Sequence, residues 1–466
     1  MNIISLIRNF SYVISSNFIS LAISSIAVLI VPKFLGVESY GYWQLYIFYT
    51  AYVGVLHLGW LDGIYLRFGG VKYGNLDKRL FNSQFVEFAL MQFLIAFGIV
   101  IYGFQLTDQN RSFIIIMTAM AMIFVNLGQF CLYILQDTNR IRDYSFDTAI
   151  GRIIYFAIVL LLIFNGSRDF RLFIIADLIG RFIAMMYGFY LCKDIVFYKL
   201  SRFVWSFKET YKNFAIGINL LIANTANSLI IGIVRYGIQH YWGISIFGKI
   251  SLTLNISNLL MTFVSAISLV LYPTLRRLDK DKVQNVYVGI RQTLTIILLT
   301  GLIAYYPVNY LLGLWLPKYA DSLRYMALLF PMCVYSGKFQ LLISTFMKIL
   351  RYERDLLLVN VVSVAFSVII TIINVFFIKS LIFIMISIVF ILWIQSNFGE
   401  YILGKRMDIK TMPGIWEETL VVVAFISLNW LGKFPVNIIL YIVVLIIYIL
   451  ENKSSFVEGL RFLGVK

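Results

Sequence analysis

Asp177 and Arg181 stand four residues apart in an apolar run near 171–191, so a helix would set them on one face, where they pair. An ionisable side chain in such a run costs roughly 2.5 to 3.5 kcal/mol on insertion scales, which makes each one a functional candidate. The pair fits either a structural ion pair or a contact to a substrate or a proton. Lys338 lies in the middle of the run 324–347, beside Tyr335, Ser336 and Gln340, with no acid within one turn. An unpaired lysine at that depth is expected to face a wet cavity or an anion. Asp62 and Arg67 close the run 42–66; Arg67 reads either as a site cation or as a boundary residue snorkelling to the interface. Arg235 and Glu87, at the ends of their runs, carry the same ambiguity, and His57 reads as a packing residue. Asn219, Asn224, Thr225, Asn227 and Ser228 give one run a polar side, which either joins helices or lines a polar passage.

The rest of the inventory excludes more than it suggests. There is no nucleophile with a nearby base, no glycine-rich phosphate loop and no cluster of metal-ligand residues. Enzyme chemistry is not expected, and no metal or cofactor is implied. Cys131, Cys192 and Cys333 fall in or beside apolar runs without a C-x-x-C pair, and His57 and His240 are the only histidines; neither a disulfide framework nor a zinc site follows.

These residues sit in a chain that is 61% hydrophobic and only 13% charged, with a mean hydropathy of +0.86. A soluble domain carries about 25% charged residues, so this is an integral membrane protein. Its apolar runs are near 20 residues and lack the alternation of barrel strands, which decides for helices. The net charge of +16 could suggest nucleic acid, but the basic residues are scattered through short loops rather than gathered on a patch.

Fourteen runs are expected, near 11–31, 42–66, 83–104, 112–136, 148–164, 171–191, 214–235, 248–273, 291–313, 324–347, 356–378, 380–399, 416–431 and 434–450. Twelve is the fallback, should the short last two form one re-entrant pair. With the first end inside, 27 of the 39 lysines and arginines fall in inner loops, so both termini are expected to be cytoplasmic. Residues 193–213 are basic and aromatic, with Phe197, Tyr198, Phe203, Trp205 and Phe207, as expected of an amphipathic helix on an anionic inner leaflet. They would separate a six-helix bundle at 1–192 from another at 214–410, followed by a helix pair and tail at 411–466.

A repeated frame supports two halves of like construction. Leu35-Gly36-Val37-Glu38-Ser39-Tyr40-Gly41 returns as Trp242-Gly243-Ile244-Ser245-Ile246-Phe247-Gly248, and internal symmetry of this kind builds many transporters. Each glycine is expected to let a short turn take positive φ or pack closely. The runs before the two copies are both polar on one side; the first has Ser15, Ser16, Asn17, Ser20, Ser24 and Ser25. That shared polarity fits a central cavity lined by both.

At this point the residues resemble a known family. Val31-Pro32-Lys33-Phe34-Leu35-Gly36 with Tyr40-Gly41, Leu58-Gly59 through Arg67, Tyr272-Pro273-Thr274-Leu275-Arg276-Arg277-Leu278, Leu316 to Pro331 and Lys348 to Asn360 are similar to blocks of Wzx-type polysaccharide-repeat flippases. Those belong to the multidrug/oligosaccharidyl-lipid/polysaccharide (MOP) exporter superfamily. The resemblance implies an all-α fold of two pseudo-symmetric six-helix bundles around a central cavity. It implies alternating access that moves an undecaprenyl-pyrophosphate-linked repeat unit of O-antigen or capsule across a bacterial cytoplasmic membrane. It further implies lipid contact, polymerase and ligase proteins as neighbours, and no nucleic acid. A basic cavity of the family's kind maps onto Arg181, Arg235 and Lys338, joined by Arg67, Asn224 and Asn227 from the ambiguous set; Asp62 or Asp177 would couple to an ion. On this reading Lys338→Ala stops transport while the protein level holds. Two rivals are a multidrug or metabolite exporter of the same superfamily and an O-antigen polymerase, which would need a large external loop.

Overall fold

A computed structural model describes residues 3–199, 203–275, 280–409 and 414–453. Among them the regular elements are all helical: α1 (Ile3–Phe34), α2 (Val37–Thr50), α3 (Trp60–Phe68), α4 (Lys78–Gln105), α5 (Gln109–Asp137), α6 (Ile141–Phe164), α7 (Phe170–Leu191), α8 (Lys193–Val196), α9 (Phe207–Tyr241) and α10 (Ile244–Leu275). They continue with α11 (Lys280–Gly301), α12 (Tyr305–Trp315), α13 (Ala320–Leu323), α14 (Met326–Leu329), α15 (Met332–Lys338), α16 (Thr345–Ile349), α17 (Glu353–Ile373), α18 (Leu381–Arg406), α19 (Ile415–Leu431) and α20 (Val436–Glu451). Ten helices among the described residues are long and apolar enough to cross a membrane. The protein is therefore an all-α polytopic membrane protein. All fourteen expected runs fall on helical segments, but α19 and α20 have only 17 and 16 residues, so that count is approximate. The expected tail beyond residue 453, Lys410 and the Arg276-Arg277 pair lie outside the described residues.

Short loops supply the helix starts. Asp77, Asp108 and Asp169 stand just before α4, α5 and α7, and each carboxylate accepts from backbone N–H groups of the first turn. These are orphan donors that nothing else in a helix would satisfy. The repeated frame also has a structural counterpart. Leu35-Gly36 and Trp242-Gly243 form two-residue connections, α1 to α2 and α9 to α10. In both the Gly carbonyl accepts from the residue four on, Tyr40 or Phe247. Gly243 has φ +80° as expected, whereas Gly36 is extended at φ −67°.

The second expected run is not one helix. After α2 it passes through a 3-10 turn, Val53–His57, and then Leu58 and Gly59, both left-handed. Irregular backbone at this depth survives only if its freed polar groups are satisfied by protein. Asn126 donates to the Val53 carbonyl at 3.1 Å and to Gln92 at 2.7 Å, and Gln92 donates to the Leu56 carbonyl at 3.1 Å. Two buried amides on α4 and α5 thus replace the missing helical bonds.

The chain divides into two compact units, Met1–Thr225 and Ala226–Lys466. The division falls inside α9 rather than at the basic linker, because the linker is pinned to the first unit. Glu87 accepts from the Ser206 backbone and hydroxyl and from Thr210; Asn82 donates to the Ile195 carbonyl at 2.8 Å, and Val204 donates to Ser83. In the expected amphipathic stretch the helical residues are the single turn of α8 and the start of α9 from Phe207, with residues 200–202 outside the described set. Trp205 and Phe207 still stack in the open, 5.1 Å between centroids.

Asp194 on α8 joins this rim to α4. Burial would raise its carboxyl, but hydrogen bonds from Lys78 and Tyr73 hold it below its ordinary value of 3.8. A depressed carboxyl contributes stability above its unfolded value and loses it as pH falls through the folded one. The protection of the amides at 192–196, measured relative to their intrinsic exchange rates, should therefore fall below pH 3.8; in Asp194→Asn it should be low at neutral pH too.

Candidate functional site

In the first unit, α5, α6 and α7 line a half-open cavity of about 190 Å³. Two glycines set the spacing of its walls: a Cβ on Gly151 would lie 2.9 Å from the Gly180 carbonyl oxygen, and one on Gly180 2.5 Å from that of Gly151. α6 and α7 therefore touch backbone to backbone here, and larger residues next to the crossing leave the space. Its polar lining is Gln129, Thr148 and Tyr155, with two acids, Asp147 and Asp177, and two arginines, Arg152 and Arg181. Arg152 and Arg181 each lie eleven residues into their helices, which at 1.5 Å per residue is about 16 Å from each helix start.

The sequence placed Asp177 and Arg181 on one helical face, and there they pair: Arg181 Nε donates to Asp177 Oδ2 at 2.5 Å. Tyr46 of α2 donates to the same oxygen at 2.8 Å. Arg152 lines the same cavity, and among the described residues it forms no ion pair. Asp147 is 2% exposed, and its Oδ1 has no hydrogen-bond partner. Sequence reasoning missed both: Arg152 was counted with an inner loop although it falls inside the run 148–164, and Asp147, one residue before that run, went unnoticed.

The other candidates of this unit lie outside the cavity lining. Asp62 is buried with His57 Nε2 at 3.9 Å and the Tyr133 hydroxyl at 3.5 Å. His57 Nδ1 accepts from the Gly59 N–H at 3.1 Å, so its other nitrogen carries the hydrogen when the ring is neutral. Arg67 does not snorkel free. It is bonded to Glu209 at 2.5 Å and to Asn213 at 2.6 Å, tying α3 to α9. Beneath it Gly59 and Gly63 meet Gly217 and Asn213 so closely that a Cβ on Gly217 would collide with the Gly59 carbonyl. Asn224 is exposed on α9.

In the second unit Arg235 donates to Ser251 at 3.0 Å and lies over the Phe247 ring, and Asn227 accepts from Gln395 at 3.0 Å. Lys338 is not unpaired and does not face a wet cavity; of the two expected surroundings it has the anion, supplied by the protein itself. It is 0% exposed, with Glu400 and Glu418 each 2.6 Å from Nζ. Arg291 completes the cluster, paired to Glu400 and 3.7 Å from Glu418. The acids come from α18 and α19, far along the chain, so a search within one turn could not find them. Their signal was position: both close or open an apolar run, where a carboxylate looks like a boundary residue. Lys338 lies in the span Met326–Ile349, of which 89% of the apolar window is buried. A π-helical stretch, Phe339–Ser344, follows it directly.

No protein-family model matches the chain, and no curated protein sequence is similar to it. Solved structures are. A lipid II flippase, MurJ, in an inward closed conformation superposes with a TM-score of 0.62 at 14% identity, over 96% of this chain and 99% of that one. A multidrug resistance MATE family transporter of the MOP superfamily, inward-facing, matches with a TM-score of 0.62 at 13% identity, over 87% and 95%. A MOP superfamily transporter from Pyrococcus furiosus matches at 0.53, 13% identity, over 87% and 95%. The chain has the fold shared by these MOP-superfamily transporters.

Proposed function

We propose that this protein is a flippase carrying an undecaprenyl-pyrophosphate-linked oligosaccharide repeat unit, of O-antigen or capsule, across the bacterial cytoplasmic membrane. It would work by alternating access, with both termini in the cytoplasm and polymerase and ligase proteins as neighbours. One observation carries the reading: the likeness to the lipid II flippase extends over nearly the whole of both chains. The 4% left unmatched is about 19 residues, fewer than α19 and α20 contain together, so the likeness reaches into the final helix pair. For the inward-facing multidrug structure 13% is left out.

The cavity of the first unit supplies the chemistry. A pyrophosphate-linked sugar needs cations and polar groups out of water, and Arg152, Arg181, Thr148, Gln129 and Tyr155 offer both in one place. Asp177 and Tyr46 hold the Arg181 guanidinium in position. Asp62, against His57 and Tyr133, is the proposed ion-coupling carboxylate. Lys338 is withdrawn from the substrate set, since both of its neighbours are carboxylates.

Deleting the gene from the native host is expected to abolish the surface polysaccharide and to accumulate lipid-linked repeat units on the cytoplasmic face. Restoring it should reverse both. Single units appearing outside would indicate a polymerase. The equal TM-score of the MATE structure favours a second reading, a multidrug exporter; an unchanged surface together with impaired growth on cationic dyes would establish that one instead.

A further inference from the structure

The charges lining the cavity of the first unit are not all matched. Asp177 and Arg181 neutralise each other at 2.5 Å. That leaves one cation, Arg152, and one carboxylate, Asp147, both on α6 and both lining the same space. They do not pair with each other: among the described residues neither takes part in an ion pair, and Asp147 Oδ1 has no hydrogen-bond partner although the residue is 2% exposed. Five residues along a helix turn through about 140°, so the two side chains leave α6 in different directions and reach the cavity at different points.

A cation kept in a membrane span without a partner is expensive, and an acid there stays neutral unless a cation meets it, so a protein that keeps one of each apart has not used the cheap remedy of joining them. A ligand can do the joining. We propose that this cavity is a dipolar site whose ligand carries an anionic group for Arg152 and an ammonium group for Asp147 on one small body. At about 190 Å³ the space is below the roughly 300–1,000 Å³ of drug-sized sites, so it holds one sugar of the repeat unit, with the rest of the saccharide outside it. The ligand class is an amino sugar bearing a phosphate or carboxylate, with the amine free rather than acylated. Thr148, Gln129 and Tyr155 are there for its hydroxyls, and Phe124, Val125 and Leu132 for its apolar face. An acylated amine would be disfavoured because it has no charge for Asp147.

The proposal rests on the reading of this cavity as the place where the transported head group binds, and the test separates the two. Binding of glucosamine 6-phosphate, N-acetylglucosamine 6-phosphate and glucosamine to the purified full-length protein would be measured calorimetrically at pH 7. Glucosamine 6-phosphate is expected to bind at least tenfold more tightly than either single-charge probe. Asp147→Asn should bring it down to the level of the N-acetyl compound, and Arg152→Gln to that of glucosamine. Tyr102→Phe, on the far-exposed face of α4, serves as a folding and handling control. Equal affinity for the two phosphorylated sugars, with sensitivity to Arg152→Gln alone, would overturn the dipolar proposal and leave an anion site. No binding by any probe, with both variants fully restoring surface polysaccharide in the deletion host, would overturn the cavity as the head-group site altogether.

Discussion

Lys338→Ala is expected to lower the amount of folded protein in the membrane, not merely to stop transport. Removing the lysine leaves Glu400 and Glu418, each at most 1% exposed at the side chain, with Arg291 as their one cation among the described residues. Breaking a buried ion pair by deleting one partner costs about 3–5 kcal/mol, because the survivor cannot be solvated. The melting temperature of the purified protein and its level in membranes should both fall. A wild-type level would mean that the four-charge cluster does not form. The companion variant decides the cause: Lys338→Met combined with Glu418→Gln leaves Arg291 and Glu400 as a matched pair and should recover most of the loss. The two changes share one network, so they should be far from additive. The cluster also explains what holds α19, whose first turn carries Glu418, against α11, α15 and α18. Further up the same helix Asn429 donates to the Tyr306 hydroxyl at 3.2 Å, and Tyr441 of α20 donates to the Leu299 carbonyl at 2.7 Å.

The second large effect is expected at Gly217. A Cβ there would collide with the Gly59 carbonyl oxygen and crowd the Gly63 N–H, and backbone cannot give way as a side-chain tip would. Gly217→Val should cost about 3 kcal/mol or more by overpacking. It should also push α9 from α3, so that Arg67 loses Glu209 and Asn213. Thermal unfolding checks the first effect. The control is Gly98→Ala on α4, where no atom lies within 4 Å of the new Cβ; there alanine should be neutral or slightly stabilising through helix propensity. A tolerated Gly217→Val would show that the close crossing is absent. Gly59-x-x-x-Gly63 is the small-residue spacing that lets membrane helices approach; it was legible in the chain, but which helix it meets was not.

Composition and run length by themselves determined that this is a helical membrane protein, because a bilayer admits few ways to satisfy a backbone and a chain 61% hydrophobic has to take one. Spacing by itself determined the Asp177–Arg181 pair, since four residues on a helix is a local relation. The repeated Gly frame likewise marked the two short connections before α2 and α10. Everything that depended on residues distant in the chain was decided by tertiary structure. The break after α2 is sustained by Gln92 and Asn126 from other helices. Lys338 found its carboxylates on α18 and α19. Arg152 and Asp147 became cavity residues only because Gly151 and Gly180 bring α6 and α7 into contact. A charge at the edge of an apolar run reads the same whether it meets water, lipid headgroups or an opposite charge on another helix, and only packing distinguishes the three.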